Sequence, residues 1–307
     1  MIYLNAWVND ALRRGVTAAN EYGDCDEARL YREVRSAISY PFVGQLIAEK
    51  LNADENLDSR RIEFENSVYR DLGVFDAISV HLRDLSAVIR LNDHLIGVDK
   101  IGHFFVQGWK YFDIAYLDQD GIQSALRWGD KSESLYFGLY TTGIYSYADL
   151  SANFEGMRFW LRLLGTARDP VHRGFFFNRS YVKCVKPFIF FGKRRWVVKR
   201  DFRFADYVTG VWDEGVNCSR YRNAEIVRSI AERIRREAQL AGQNYDCPIE
   251  PQECARAQRR YRDYAATLLH PLCFAAGEQS AHTELSKKPL ADLSAGSLAR
   301  FRSHAGV

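Results

Sequence analysis

Two short segments of this chain carry polar side chains at helical spacing among apolar neighbours. Asp99 and His103 lie four residues apart in the first segment, and Asp149 and Asn153 have the same spacing in the second. Residues four apart share one face of a helix, so each pair points in one direction among Ile, Phe, Leu and Ala neighbours. Buried polar groups need hydrogen-bonding partners. We therefore expect the two pairs to meet in one hydrogen-bonded or metal-binding cluster.

The chemistry of such a cluster depends on His103. A carboxylate within hydrogen-bonding reach, such as Asp99, would keep one ring nitrogen protonated and leave the other free as a general base or metal ligand. Glu133 or Asp149 would then act as the acid or as a further ligand of a divalent metal. In the structural alternative, Asp99 caps a helix, Asp149 is stabilised by a helix dipole, and His103 is satisfied in the core. The catalytic candidates are Asp99, His103, Glu133 and Asp149.

A second polar island follows Trp212. Adjacent carboxylates point to different faces of a helix, so only one of Asp213 and Glu214 is expected to face inward. Asp213 shares a helical face with Asn217, which makes it our ligand-binding candidate, and Glu214 is expected as an exposed cap. The inward carboxylate would complete a divalent-metal site or an acid/base pair with the first cluster.

Residues 193–203 form a concentrated basic and aromatic stretch. Its members and neighbours are Lys193, Arg194, Arg195, Lys199, Arg200 and Arg203, interleaved with Phe191, Trp196 and Phe202. Such a surface would suit phosphates of lipid headgroups, lipopolysaccharide or nucleic acid. The alternative is an ordinary β-hairpin whose basic residues face solvent while the aromatic residues pack inward.

The elements that position these residues are mostly helical. Apolar spacing predicts helices over 11–19, 27–38, 99–116, 123–140, 146–164, 225–240 and 255–269. Ser146 is the expected N-cap of the fifth helix. Residues 188–191 and 195–199 predict a hairpin with Gly192 in the turn. We predict a mainly α fold: a helical domain over 1–280 with its polar core at 97–160, a small β-hairpin near 188–199 within the basic and aromatic region 186–204, and a tail over 281–307.

Composition excludes several functional classes. The chain has 307 residues, 47% of them hydrophobic, with a net charge of +3. That charge is too small to indicate a nucleic-acid-binding protein. No apolar run reaches the roughly 18 residues of a transmembrane helix. Because zinc-protease, nucleophile-elbow, phosphate-loop and dinucleotide fingerprints are all absent from the sequence, those enzyme classes are not predicted.

Six cysteines bear on the compartment. None forms a Cys-x-x-Cys pair, and an even set outside metal spacing favours disulfides in an oxidising compartment. Cys247 and Cys254 flank a proline-containing loop that a disulfide would brace. The alternative is six buried thiols. The first ten residues show no signal peptide, so the expectation is either a cytoplasmic protein or an exported one whose leader is missing from this sequence.

The order of these motifs resembles known envelope families. Asp-Lys-x-x-His, then a Glu on the next helix, then Ser-x-x-Asp-Leu-x-Ala-Asn-x-x-Gly is similar to the motif set of the VanZ-like family and the YfiM-like lipoproteins, whose biochemistry is poorly defined. The resemblance covers about sixty residues and marks Asp99, Lys100, His103, Glu133, Ser146, Asp149, Asn153 and Gly156. The pattern from Asp206 to Cys218 also resembles larger uncharacterised proteobacterial exported proteins. VanZ-like proteins are membrane-embedded, but the helices here carry several charges, so that role is not carried over.

These observations lead to three functional expectations. The first is a cell-envelope protein, periplasmic or envelope-associated, whose Asp/His/Asp/Asn cluster is structural or binds an envelope ligand. Lys100, Ser146, Asn153 and Asp213 are its ligand-binding candidates. The second is a hydrolase of envelope phospholipid or glycan that uses His103 and Asp99 with Glu133 or Asp149, with or without a divalent metal. The third is a protein that binds anionic surfaces through residues 193–203.

Overall fold

The computed structural model describes residues 1–38, 59–60, 62–67, 69–70, 87–135, 138–140, 142–172, 180–186 and 193–275. In this part of the chain the fold is mainly helical, with small antiparallel sheets. The mainly α prediction is confirmed. The predicted tail over 281–307 lies outside the described residues.

The chain begins with two packed helices, α1 (Ile2–Asn20) and α2 (Glu27–Ile38). The bounds of α2 match the prediction, and the Asp26 carboxylate caps it by accepting the Arg29 N–H at 2.8 Å. Helix α1 starts nine residues earlier than predicted, at Ile2 rather than residue 11. Leu4 and Val8 extend its buried face toward the N-terminus, which explains the earlier start.

A three-stranded antiparallel sheet leads into the polar core. Its strands are β1 (Ser59–Arg60), β2 (Val88–Leu91) and β3 (His94–Gly97), in that order across the sheet. Asn92 and Asp93 join the last two with φ of 53° and 66°. Two left-handed residues give the hairpin turn whose twist matches its strands. The turn leads into β3, and β3 leads directly into the next helix.

Three helices carry the polar core, as the apolar spacing predicts. Helix α3 consists of four consecutive segments: Asp99–Gly102, the π turn His103–Gln107, Gly108–Phe112 and the π turn Asp113–Leu117. Helix α4 spans Ile122–Leu135, shorter than the predicted 123–140, and a short strand, β4 (Ile144–Tyr145), follows it. Helix α5 spans Tyr147–Leu164, and the Ser146 hydroxyl accepts the Asp149 N–H at 3.2 Å as its N-cap.

Helices α3 and α5 are in backbone contact at two glycines. A Cβ at Gly156 would lie 1.8 Å from the Phe104 carbonyl oxygen, and one at Gly108 would lie 2.5 Å from the Cα of Gly156. No other residue type fits this approach without moving the backbone. The contact brings the first turns of the two helices, and hence their polar residues, face to face.

The predicted β-hairpin is present, but its first strand lies earlier in the chain. Strands β5 (Val182–Val185) and β6 (Arg195–Val198) are antiparallel, with Val182 opposite Val198. The predicted strand over 188–191 and the Gly192 turn lie outside the described residues. The register buries Val182 and Trp196 against the core, which favours 182–185 as the partner strand.

The remaining elements are short turns and helices. They are the 3₁₀ turns Phe64–Asn66, Phe204–Asp206, Gly210–Trp212 and Arg262–Tyr264, strand β7 (Arg220–Tyr221), and the helices α6 (Ala224–Ala241), α7 (Pro251–Tyr261) and α8 (Ala265–Leu268). Strand β7 pairs with β4. The single helix predicted over 255–269 is wrong, because Arg262 adopts φ 51° and separates α7 from α8.

Three disulfides join distant parts of the chain: Cys25–Cys184, Cys218–Cys247 and Cys254–Cys273. All six cysteines are therefore paired, as the composition favours. Such a set is typical of an oxidising compartment. Among the helices described here, none combines the length and hydrophobicity needed to cross a lipid bilayer.

Candidate functional site

One buried ammonium group gathers three carboxylates. Lys100 Nζ lies 2.7 Å from Asp149 Oδ1, 2.7 Å from Glu214 Oε1 and 2.8 Å from Asp99 Oδ2. Lys100 is only 3% exposed, whereas the side chains of Asp99 and Glu214 are each 35% exposed. We refer to these four residues, with His103, Asn153, Ser146 and Glu133 around them, as the Lys100 cluster.

Three chain segments bring the charges together. Asp99 and Lys100 open α3 directly after β3, and Asp149 lies in the first turn of α5. Glu214 comes from the loop after the Gly210–Trp212 turn. The Ser146 hydroxyl joins the segments, because it accepts the Asp149 N–H and donates to Glu214 Oε1 at 3.0 Å. The expected meeting of the two polar pairs is therefore present in the fold.

The His103 ring is held on both nitrogens. Its Nε2 lies 3.2 Å from Asp149 Oδ2, and its Nδ1 lies 3.1 Å from the Asn153 amide. The Asn153 amide nitrogen also lies 3.3 Å from the His103 carbonyl oxygen and 3.2 Å from the Asp149 carbonyl oxygen. Because carbonyl oxygens only accept, the nitrogen of Asn153 faces them. The His103 ring therefore lies between the Asp149 carboxylate and the Asn153 amide.

Burial and charge act in opposite directions on the groups of the cluster. Burial alone would lower the pKa of Lys100, but Asp149, Asp99 and Glu214 together raise that pKa well above its ordinary value. Burial alone would raise the pKa of Asp149, yet His103 and Lys100 hold that pKa below its ordinary value. Lys100 and Asp149 are thus stabilised in their charged forms.

Glu133 faces the cluster from α4. It is 3% exposed, and its carboxyl accepts the backbone N–H of Ser146. Burial, followed by the charge of Asp149, raises the pKa of Glu133 well above its ordinary value. The fold therefore places this acid beside the site as a group that holds its proton more tightly than a free glutamate.

Glu214, and not Asp213, reaches Lys100. The Gly210–Trp212 turn ends before Asp213, so these residues do not follow the helical faces that the sequence pattern assumed. The Asp213 carboxylate instead accepts the Gly215 N–H at 2.8 Å, and burial raises its pKa to about 6. Asp213 is therefore outside the cluster. Asn217, its expected partner, is fully buried and donates to the Leu268 carbonyl oxygen.

Sequence reasoning also missed Tyr69. Its hydroxyl lies 3.5 Å from Glu214 Oε2, and it interacts with the hydroxyl of Tyr221. Burial raises the pKa of Tyr69 well above its ordinary value, so it remains a neutral donor to Glu214. Its only signal in the sequence is a lone tyrosine within a polar stretch.

Three candidate metal ligands lie beside a buried cation. Asp99, His103 and Asp149 each offer one ligand atom, all within 4.8 Å of one another. Asp99 and Asp149 already bind the Lys100 ammonium at 2.8 and 2.7 Å. A divalent ion would have to share these carboxylates with that buried positive charge. The set therefore fits an ammonium group better than a metal ion.

The basic segment over 193–203 packs as an ordinary hairpin surface. Trp196 is 5% exposed and Phe202 is fully buried, while Lys193, Arg195 and Lys199 face solvent. Two arginines in this segment pair with acids, Arg194 with Asp24 and Arg203 with Asp206, and Asp201 pairs with Arg13 of α1. The two buried aromatic residues are not available for stacking on bases or insertion into lipid.

Comparison with protein-family models, with curated proteins and with solved structures finds no match for this chain. The resemblance to the VanZ-like and YfiM-like motif sets stays a prediction from the motif residues.

Proposed function

We propose that this chain is a bacterial cell-envelope protein, located in the periplasm, in which the Lys100 cluster is a non-catalytic site for an envelope ligand. The observation that carries the proposal is the occupation of both His103 nitrogens. A general base needs a free lone pair directed at its substrate. Here Nδ1 lies 3.1 Å from the Asn153 amide and Nε2 lies 3.2 Å from Asp149 Oδ2, so both nitrogens already face a partner inside the protein.

The charge balance of the cluster indicates which ligand it would accept. One ammonium faces three carboxylates, so the site has an excess of negative charge. Asp99 and Glu214 present this excess to solvent through their exposed portions. Anionic phosphates would be repelled, whereas a primary ammonium group on a glycan or peptide would be attracted. We therefore propose an amine-bearing envelope molecule as the ligand.

Two further observations support the envelope location. Three disulfides favour an oxidising compartment, and in bacteria the periplasm is such a compartment. The motif residues of the cluster are those that resemble the envelope families.

Nuclear magnetic resonance tests the proposed ligand. Glucosamine, which carries an ammonium group, should shift the signals of Asp99 and Glu214, whereas N-acetylglucosamine, its neutral counterpart, should not. The shifts should disappear in the double variant Asp99→Asn with Glu214→Gln. Equal shifts from both sugars would overturn the proposal.

The second candidate is a metal-dependent hydrolase of envelope glycans or phospholipids, favoured by the three ligand atoms of Asp99, His103 and Asp149. Calorimetry with Zn²⁺ and Mn²⁺ distinguishes it. This candidate requires binding that is lost in His103→Ala. The ammonium-binding proposal expects no binding that depends on His103.

A further inference from the structure

We infer that the Cys218–Cys247 disulfide is a redox control of the Lys100 cluster that acts through the position of Glu214. The inference concerns regulation of the site and rests on the proposed function for its biological meaning. The contacts that carry it are independent of any ligand.

Glu214 belongs to a short loop that is held from both ends. On one side, the Asp213 carbonyl oxygen accepts the N–H groups of Val216 and Asn217 at 3.0 and 2.8 Å. On the other side, Cys218 is bonded to Cys247. The side-chain partners of Glu214 are Lys100, Ser146 and Tyr69.

The segment after Cys247 lies directly against the backbone of Glu214. Cys247 Sγ is 3.5 Å from the Glu214 carbonyl oxygen, and the Ile249 N–H donates to the Gly215 carbonyl oxygen at 2.9 Å. The disulfide therefore fixes the loop around Glu214 against the segment that contains Cys247. With its backbone fixed in this way, Glu214 places its carboxylate against Lys100.

The sulfurs differ in their access to solvent. Cys247 is half-buried, whereas Cys254 and Cys273 are fully buried behind it. Sulfurs of both disulfides lie against one carbonyl oxygen, that of Val216, at 3.8 Å for Cys247, 3.6 Å for Cys254 and 3.7 Å for Cys273. Of these two neighbouring disulfides, a reductant therefore reaches Cys218–Cys247 first, and Cys254–Cys273 keeps the surrounding fold in place.

The chemistry is ordinary thiol–disulfide exchange with a dithiol reductant, such as the reduced active site of a thiol oxidoreductase. A thiolate of the reductant attacks Cys247 Sγ and Cys218 leaves as a thiolate. The second thiol of the reductant then releases Cys247 and closes its own disulfide. Two electrons pass to the protein and both cysteines become thiols. Glu214 can then withdraw from Lys100, which removes one of the three carboxylates that attract a cation.

The reactivity of Lys100 measures this change without a ligand. In the oxidised protein the amine is buried and strongly protonated, so acetylation by an N-hydroxysuccinimide ester should be slow. The double variant Cys218→Ser with Cys247→Ser should acetylate at Lys100 about tenfold faster, the factor that loss of one charge-assisted hydrogen bond implies. The matched control is Cys25→Ser with Cys184→Ser, which removes the distant disulfide and should leave Lys100 labelling unchanged. Glu214→Gln, with all disulfides intact, should reproduce the faster labelling.

Limited reduction of the unmodified chain keeps the test valid if the double variant does not fold. Dithiothreitol followed by differential alkylation separates molecules reduced only at Cys218 and Cys247, in which Lys100 should label faster. Unchanged labelling in those molecules would overturn the inference. Because labelling needs no ligand, faster labelling without glucosamine binding would overturn the proposed function alone. Glucosamine binding with unchanged labelling would overturn the redox control alone.

Discussion

Helix α5 carries two buried charged clusters that are built in opposite ways. Near its start lies the Lys100 cluster, in which one cation contacts three carboxylates, two of them partly exposed. Further along lies a second cluster, which we name the Arg158 cluster after its central residue: Arg158, Glu155, Asp169 and Arg260. It contains two guanidinium groups and two carboxylates, and its carboxylates are at most 5% exposed.

The second cluster has the geometry of a structural ion pair network. Arg158 binds Asp169 through two nitrogens, at 2.7 and 2.8 Å, and also contacts Glu155. Arg260 binds the other side of Glu155 at 2.8 Å. The cluster has equal numbers of positive and negative charges, and each of its guanidinium groups donates through at least two nitrogens. This arrangement satisfies the hydrogen-bonding groups of buried ions best. The unequal, partly open Lys100 cluster lacks this balance, and the difference is what marks it as the functional candidate.

The largest expected effect comes from breaking the balanced cluster. Arg158→Met leaves Glu155 and Asp169 buried without their shared cation, so we expect a loss of about 3–5 kcal/mol in the free energy of unfolding. Denaturant unfolding with the disulfides intact measures it. Arg203→Met, which removes an exposed ion pair with Asp206, serves as the control and should cost less than about 1 kcal/mol. A similar small cost for Arg158→Met would show that the second cluster is not structural.

A smaller effect is expected at the centre of the Lys100 cluster. Lys100→Met also leaves carboxylates without a cation, but Asp99 and Glu214 can take up water, so we expect a loss of about 2–3 kcal/mol. The variant should bind glucosamine more tightly than the unmodified chain, because the site becomes more negative. Arg158→Met should leave that affinity unchanged. Equal loss of stability with weaker glucosamine binding would contradict the proposed difference between the two clusters.

Glu133 supplies a test that depends on pH. Its folded pKa is raised by burial above the ordinary value of 4.5, so the folded chain holds this proton after the unfolded chain has lost it. The stability contributed by this proton is full below the unfolded pKa and is lost as pH rises through the folded pKa. Glu133→Gln keeps an acceptor for the Ser146 N–H and does not titrate. We therefore expect it to be increasingly more stable than the unmodified chain between pH 4 and pH 8 in thermal unfolding, and a constant difference would contradict the assignment.

Much of the polar core follows from local spacing. The positions of Asp99 with His103 and of Asp149 with Asn153 are four apart, which places each pair on one helical face, and the Ser146 hydroxyl in front of α5 predicts its cap. The shared faces and the cap depend only on the local helix, so the folded chain keeps both. The meeting of the two faces follows from the need to satisfy buried polar groups.

The centre of the site, Lys100 with its three carboxylates, depends on contacts between distant segments. Local helical spacing does not predict such contacts. Lys100 follows a predicted inward residue and would ordinarily extend to solvent, but three acids from three segments bury it. A helical pattern favours Asp213 over Glu214 as the inward carboxylate, but the local backbone is a turn. The partner of β6 depends on a register across a loop, which strand propensity does not encode.

We expect the smallest change in stability at Asp213, whose pH dependence should be opposite to that of Asp149 in the Lys100 cluster. Burial raises its folded pKa to about 6 from an ordinary 3.8, so its stabilising proton is present below about pH 4 and is lost as pH rises through about 6. The pKa of Asp149 is lowered instead, so its contribution to stability is present at neutral pH and is lost as pH falls through its folded pKa.

Asp213→Asn keeps the oxygen that accepts the Gly215 N–H, and its stability relative to the unmodified chain should rise from pH 4 to pH 7. Asp149→Asn should show the opposite trend on acidification, since it removes a carboxylate that the cluster stabilises in its charged form. If thermal unfolding gave both variants the same pH dependence, the boundary drawn between Glu214 inside the cluster and Asp213 outside it would be wrong.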